Sequence, residues 1–184
     1  MEATQKFLLK LARQTLEHYF STGKVLKADM SDKELLEKRG TFVTLHTRDG
    51  QLRGCIGHIE PVQEIYKDVI ENALAAAFED TRFAPLEKLE MENIKIEISV
   101  LTQPQRLIYT STDDLLNKLQ PLRDGVIIRK GRYGATYLPQ VWEDLGDNAE
   151  FLSSLCLKAG LQANEWRTGQ LEVLTYQAEV FYES

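Results

Sequence analysis

The chain reads as an α+β protein: largely antiparallel sheets with helices packed on them, in two lobes around a shared cleft. Three observations carry this. Two segments repeat apolar residues at three-and-four spacing, and two hairpin signatures plus one alternating segment supply antiparallel strands. Helices and strands are also mixed without a regular βαβ repeat. At 184 residues, 43% hydrophobic and 27% charged, the composition is that of one ordinary globular domain, expected to span residues 1–184 with two interlocked subdomains.

Each element has a local reason. Leu8, Leu11, Ala12, Leu16, Tyr19 and Phe20 share one helix face, which Ser21-Thr22-Gly23 stops. Residues 24–39 are charged without a clean period, so a loop is expected, with at most a short helix around Asp32 to Lys38. Thr41 to Arg48 and Gln51 to Gly57 flank Asp49-Gly50, the signature of a hairpin whose type I′ turn places both centre residues at positive φ. Pro61 opens a helix carrying Ile65, Tyr66, Val69, Ile70, Ala73, Leu74 and Ala77. Ile94, Ile96, Ile98 and Val100 alternate with polar residues as a half-buried strand. Thr112-Asp113-Asp114 begins a short capped helix that ends by Pro121. Gly125 to Arg129, a turn around Gly131 and Gly134, and Ala135 to Leu138 form a second hairpin. Phe151, Leu152, Leu155, Cys156 and Ala159 share a helix face that stops at Gly160, and residues 171–182 close the chain as one or two strands.

Charge narrows the function classes. A formal net charge of −6 opposes a broad grip on nucleic acid or anionic lipid. Glu2, Lys6, Lys10, Arg13 and Glu17 interrupt the first twenty residues, so a signal peptide is not expected, nor is a membrane span. The two cysteines, Cys55 and Cys156, make no disulfide framework, and a cytoplasmic location is the simpler expectation. No phosphate-binding loop, dinucleotide fingerprint, zincin motif, paired-cysteine motif or nucleophile elbow is present, and Cys55 with His58 is at most half of a metal site. No cofactor is indicated and no metal is expected.

The first hairpin holds the candidate chemistry. A loop centred between Asp49 and Gly50 sets Thr44 opposite Cys55, His46 opposite Arg53 and Val43 opposite Ile56. Alternation then gives a core face of Val43, Leu45, Leu52 and Ile56 with Gly54, and a second face of Phe42, Thr44, His46, Arg53 and Cys55. Cys55 beside Arg53, with His46 a diagonal neighbour, is an electropositive setting that would lower a thiol pKa. The other possibility is that Cys55 is a small filler. Gly54 and Gly57 bracket it, which suggests a bulge or a close approach by another backbone or a ligand, and a bulge would turn His58 toward the thiol instead of His46. Asp80 and Arg82 form either a site or a surface ion pair. Pro139, Gln140 and Trp142 end a strand, as a lobe seam or a pocket wall. Cys156 belongs to an apolar stripe.

Leu52-Arg53-Gly54-Cys55-Ile56-Gly57 resembles the AMMECR domain family. The resemblance continues at Asp80-Thr81-Arg82-Phe83, Gly125 to Arg129, Leu138-Pro139-Gln140-Val141 and Phe151 to Leu161, in order, over most of residues 40–182. It implies a two-lobed intracellular α+β domain with the cysteine segment near the lobe interface. It implies no particular reaction, but prokaryotic relatives are similar to proteins encoded beside Memo-type and radical S-adenosylmethionine proteins, which makes these the expected partners. The motif's arginine and cysteine carry over to Arg53 and Cys55. Two functions follow as expectations. One is a thiol-dependent accessory enzyme, with Cys55 as nucleophile, Arg53 and His46 assisting, and Gly54, Gly57, His58, Asp80, Arg82, Pro139 and Gln140 binding. The other is a non-catalytic binding module for a partner protein or small ligand.

Overall fold

Helix α1 spans Ala3–Thr22 in the computed structural model, which describes residues 2–183. Its apolar stripe buries Leu8, Leu11, Ala12 and Leu16, and Gly23, at φ 67°, caps it by donating its N–H to the Tyr19 carbonyl. The loop that follows carries a turn at residues 33–36 in place of the expected short helix. Lys38 and Glu64 form an isolated antiparallel bridge, and Ile65 N–H donates to Glu37 O at 2.9 Å. Extended backbone at Glu64 delays α2, which spans Ile65–Phe78 and does not begin at Pro61.

Two compact units emerge, one of Met1–Gln103 with Glu179–Ser184, the other of Pro104–Ala178. The first holds strands β1 (Thr41–Thr47), β2 (Leu52–Gly57), β3 (Ile94–Leu101) and β8 (Ala178–Tyr182) in the order β2-β1-β3-β8. β1 pairs antiparallel with both β2 and β3. α1 and α2 cover the face that carries Val43, Leu45, Ile96 and Ile98, all of them fully buried.

The hairpin between β1 and β2 departs from the expected turn. Gly50 has φ 85°, but Asp49 stays at negative φ, so the loop is not type I′. Gly50 N–H donates to Thr47 O and Thr47 N–H to Gln51 O, each at 2.9 Å, which makes a four-residue turn closed by a left-handed glycine. This turn shifts the pairing by one residue, and His46 lies opposite Leu52, not Arg53. A bulge at Arg53 then restores the expected register for Leu45–Gly54, Thr44–Cys55, Val43–Ile56 and Phe42–Gly57. Leu52 consequently leaves the core face and is 40% exposed.

The second unit holds α3 (Thr112–Lys118), β5 (Gly125–Lys130), β6 (Tyr133–Tyr137), α4 (Asn148–Lys158) and β7 (Glu172–Tyr176), with a two-residue β4 (Gln105–Arg106). Its sheet order is β4-β7-β5-β6, antiparallel throughout. The cap of α3 is Ser111, whose Oγ accepts from Asp114 N–H. Gly134 pairs with Arg129 inside β6 and is not a turn residue. Cys156 is fully buried with Phe151, Leu152 and Leu155, as its stripe requires. The closing segment divides between β7 and β8, one in each unit's sheet.

Candidate functional site

Cys55 lies on edge strand β2, in a row with Thr44 of β1 and Glu97 of β3. Thr44 Oγ1 donates to Cys55 Sγ at 3.2 Å. The residue's backbone points off the sheet, where the Asp80–Arg82 pair receives it. Cys55 N–H donates to Asp80 Oδ2 at 2.8 Å, and Arg82 donates to Cys55 O at 3.3 Å. Asp80, 7% exposed, also accepts from the Arg82 side chain at 2.7 and 2.9 Å and from the Arg82 backbone at 3.2 Å. The Arg82 hydrogen bonds, with those from the two backbone amides, hold this carboxyl well below the usual carboxylate range. Asp80 and Arg82 thus take the place of a neighbouring strand at Cys55 on this open edge.

The expected electropositive thiol is not what this arrangement makes. Arg53, displaced by the bulge, forms a two-pronged pair with Glu90 at 2.8 and 2.9 Å. His46 Nε2 meets Glu97 Oε2 at 2.9 Å. Burial pushes the Cys55 thiol up, with Glu97 and Asp80 adding to the effect, against the Thr44 hydrogen bond and the Arg82 charge. The protonated thiol is therefore favoured. Gly54 answers to packing: a Cβ there would lie 2.1 Å from the Ala76 carbonyl oxygen of α2. A Cβ on Gly57 would meet the Phe42 ring and the Thr41 carbonyl oxygen at 2.3 Å.

A buried polar cluster is centred on Asp68 of α2, and of its members only His58 was among the expected site residues. Asp68, 1% exposed, accepts five hydrogen bonds. Thr41 N–H (3.0 Å), Thr41 Oγ1 (2.6 Å) and Asn72 Nδ2 (3.0 Å) reach its Oδ2, while His58 Nδ1 (2.7 Å) and Gln63 Nε2 (3.1 Å) reach Oδ1. Asn72, four residues on and fully buried, spends its amide N–H groups on Thr41 and Asp68, and its Oδ1 has no partner. The signal available in the sequence was an acid and an amide four residues apart beside the apolar stripe, which is indistinguishable from an ordinary helix flank. His58 was expected as a ligand-binding residue; the structure turns it to Asp68.

His58 and Asn72 line a pocket of about 730 Å³ whose apolar wall includes Leu26, Ile56, Ile70 and Leu74. Volume and lining fit a small-molecule site, apolar with a few convergent polar groups. Among the described residues no group of three or more His, Cys, Asp or Glu side chains is placed to hold a metal ion, and no helix is long and apolar enough to cross a membrane.

Pro139 and Gln140 belong to the second unit. Pro139 opens a 3₁₀ turn over residues 139–144 and is buried, and Gln140 is exposed. Trp142 is core, not pocket wall. It stacks on Phe151 with centroids 3.5 Å apart and donates to Asp124 O at 2.7 Å.

Comparison with known proteins agrees with the motif. The AMMECR1 family pattern matches residues 9–181. Protein MK0488 of Methanopyrus kandleri is 42% identical over 181 residues, covering 97% of this chain and 87% of that protein. Protein NEQ441 of Nanoarchaeum equitans is 42% identical over 178 residues, covering 96% and 98%. The crystal structure of PH0010 from Pyrococcus horikoshii superposes with a TM-score of 0.87 at 37% identity, over 98% of this chain and 91% of that one. With its hexapeptide on β2, its two antiparallel four-stranded sheets and a match over nearly its whole length, the chain belongs to the AMMECR1 family.

Proposed function

We propose that this AMMECR1 domain is a binding module for a small organic ligand, held in the pocket between β2, α2 and the segment Val25–Ala28. The observation that carries the reading is the pocket itself: about 730 Å³, apolar-walled, with His58 fixed by a buried aspartate at its edge. A thiol-dependent accessory reaction at Cys55 is the weaker reading. The thiol is pushed up, Arg53 is engaged by Glu90, and His46 is engaged by Glu97. Memo-type and radical S-adenosylmethionine proteins remain the proposed partners, on the family resemblance alone, as the source or destination of the ligand.

The test is a small-molecule screen read by thermal shift and by amide chemical shifts. Ligands that raise the midpoint should perturb Ile56, Ile70 and Leu74 in the wild type. Leu74→Trp, a half-buried position whose larger ring grows into the pocket, should abolish the response. Hits that act equally on Leu74→Trp, or that map onto other residues, would remove this pocket as the binding site.

A further inference from the structure

We propose that His58 is the proton acceptor of this pocket, and that the ligand is a small molecule with an apolar body and an acidic O–H or N–H that it presents to His58 Nε2. The inference rests on the pocket reading above and goes beyond it by naming the chemistry the pocket selects.

The tautomer follows from the partner. A carboxylate oxygen has no proton to give, so the 2.7 Å contact between Asp68 Oδ1 and His58 Nδ1 requires the ring nitrogen to donate. In the neutral ring the other nitrogen, Nε2, then keeps its lone pair, and no side chain or backbone group of the described residues donates to it. The His58 side chain is 37% exposed, against 2% for Asp68. The fixed, buried end of the pair is the acid, and the accessible end is the imidazole. Four further donors, from Thr41, Asn72 and Gln63, hold the carboxylate in place, so the ring orientation is set before anything binds.

Asn72 lines the same pocket but is fully buried, with Oδ1 unpartnered, so the accessible acceptor beside Asp68 is the His58 ring. Of the three pocket residues hydrogen-bonded to Asp68, His58, Gln63 and Asn72, only His58 combines exposure with a second ring nitrogen free to meet a donor against the apolar wall. The charged side chains on the lining are Lys27, Lys67, Glu71 and Glu79; Lys67 is paired with Glu64, and Glu71 accepts from Gln63. In the transfer step the ligand's heteroatom–H bond breaks and its electron pair stays on the heteroatom. The Nε2–H bond forms, and the imidazolium keeps its Nδ1–H on Asp68. Asp68 acts as a positioning residue and does not touch the ligand.

The experiment uses a matched pair of probes on the intact protein, para-nitrophenol and para-nitroanisole, which share a body and differ in the O–H. Binding is titrated by amide chemical shifts and the phenolate absorption band is followed, both at a pH where the ring-nitrogen spectra show Nε2 of the unliganded protein without a proton. The wild type should bind the phenol about tenfold more tightly than the ether, as expected for one well-made hydrogen bond of about 1.4 kcal/mol, and the phenolate band should grow on binding. His58→Phe keeps a ring but no acceptor, and should bind both probes equally with no phenolate band. Long-range ring-nitrogen spectra of the wild type, which need no variant, should show the proton on Nδ1. Equal affinity for the two probes in the wild type, or a proton on Nε2, would overturn the inference while leaving the pocket as a binding site. Failure of both probes to perturb the pocket residues, with no screening hit there, would sink the pocket reading and this inference together.

Discussion

Gly54→Ala is the sharpest probe of the architecture around Cys55, because a single methyl group meets a neighbour that cannot yield. The added Cβ would sit 2.1 Å from the Ala76 carbonyl oxygen and 3.2 Å from its carbon, both backbone atoms of α2. Ordinary van der Waals contact needs more than an ångström beyond the shorter of these, so α2 must retreat from β2 or β2 must bend. Gly54 is not at positive φ, so the alanine backbone is itself permitted, and it gains about 0.4–1 kcal/mol by narrowing the unfolded ensemble. Overpacking costs about 1–3 kcal/mol when side chains can adjust, and here neither partner is a side chain. A net loss of about 2 kcal/mol is expected, or about 4–8 °C in Tm for a domain of this size. Denaturant midpoints measured beside Gly134→Ala, where the nearest backbone atom is 3.2 Å away, provide the control. A neutral Gly54→Ala would refute the close approach of α2 and reopen Gly54 as a position reserved for a ligand.

Three further outcomes are expected. Asp80 has a folded-state pKa below its unfolded value of about 3.9, so its stabilisation is present above that pH and disappears as pH falls toward the folded value. Asp80→Asn should accordingly be less stable than wild type near pH about 7, with the gap closing below about pH 4; a gap independent of pH would contradict the assignment. Iodoacetamide should label Cys55 before the fully buried Cys156, yet about tenfold or more slower than a free cysteine at neutral pH, since burial favours the thiol over the thiolate. Mass spectrometry showing rapid Cys55 labelling would restore an activated nucleophile. Arg53→Met breaks the two-pronged pair with Glu90 and should cost about 1–2 kcal/mol, with a coupling to Glu90→Gln of about 1 kcal/mol in a double-mutant cycle; zero coupling would free Arg53 for another role.

By itself the sequence determined the elements whose cause is local. The apolar period of α1 and α2, the alternation of Ile94 to Val100, and the Asp49-Gly50 turn between two β-rich segments each specify structure within a few residues. The pairing of residues 42–45 with 54–57 followed from the same arithmetic. The shift nearer the turn did not, because it depends on whether Asp49 adopts positive φ, and the choice against it required the compensating bulge at Arg53. Site chemistry was set by tertiary structure. Arg53, His46 and Cys55 looked like one cationic group on a hairpin face, but Glu90 and Glu97 arrive from later segments and claim the first two. Gly54 is small because the backbone of Ala76, on α2, packs directly against it. The Asp68–His58 pair needs α2 to lie along the end of β2, so an aspartate that reads as a helix flank becomes the buried anchor of an accessible imidazole. Periodicity records which face of an element is apolar. It carries no information about which charged side chain of a distant element meets the other face, and at this site those meetings decide the chemistry.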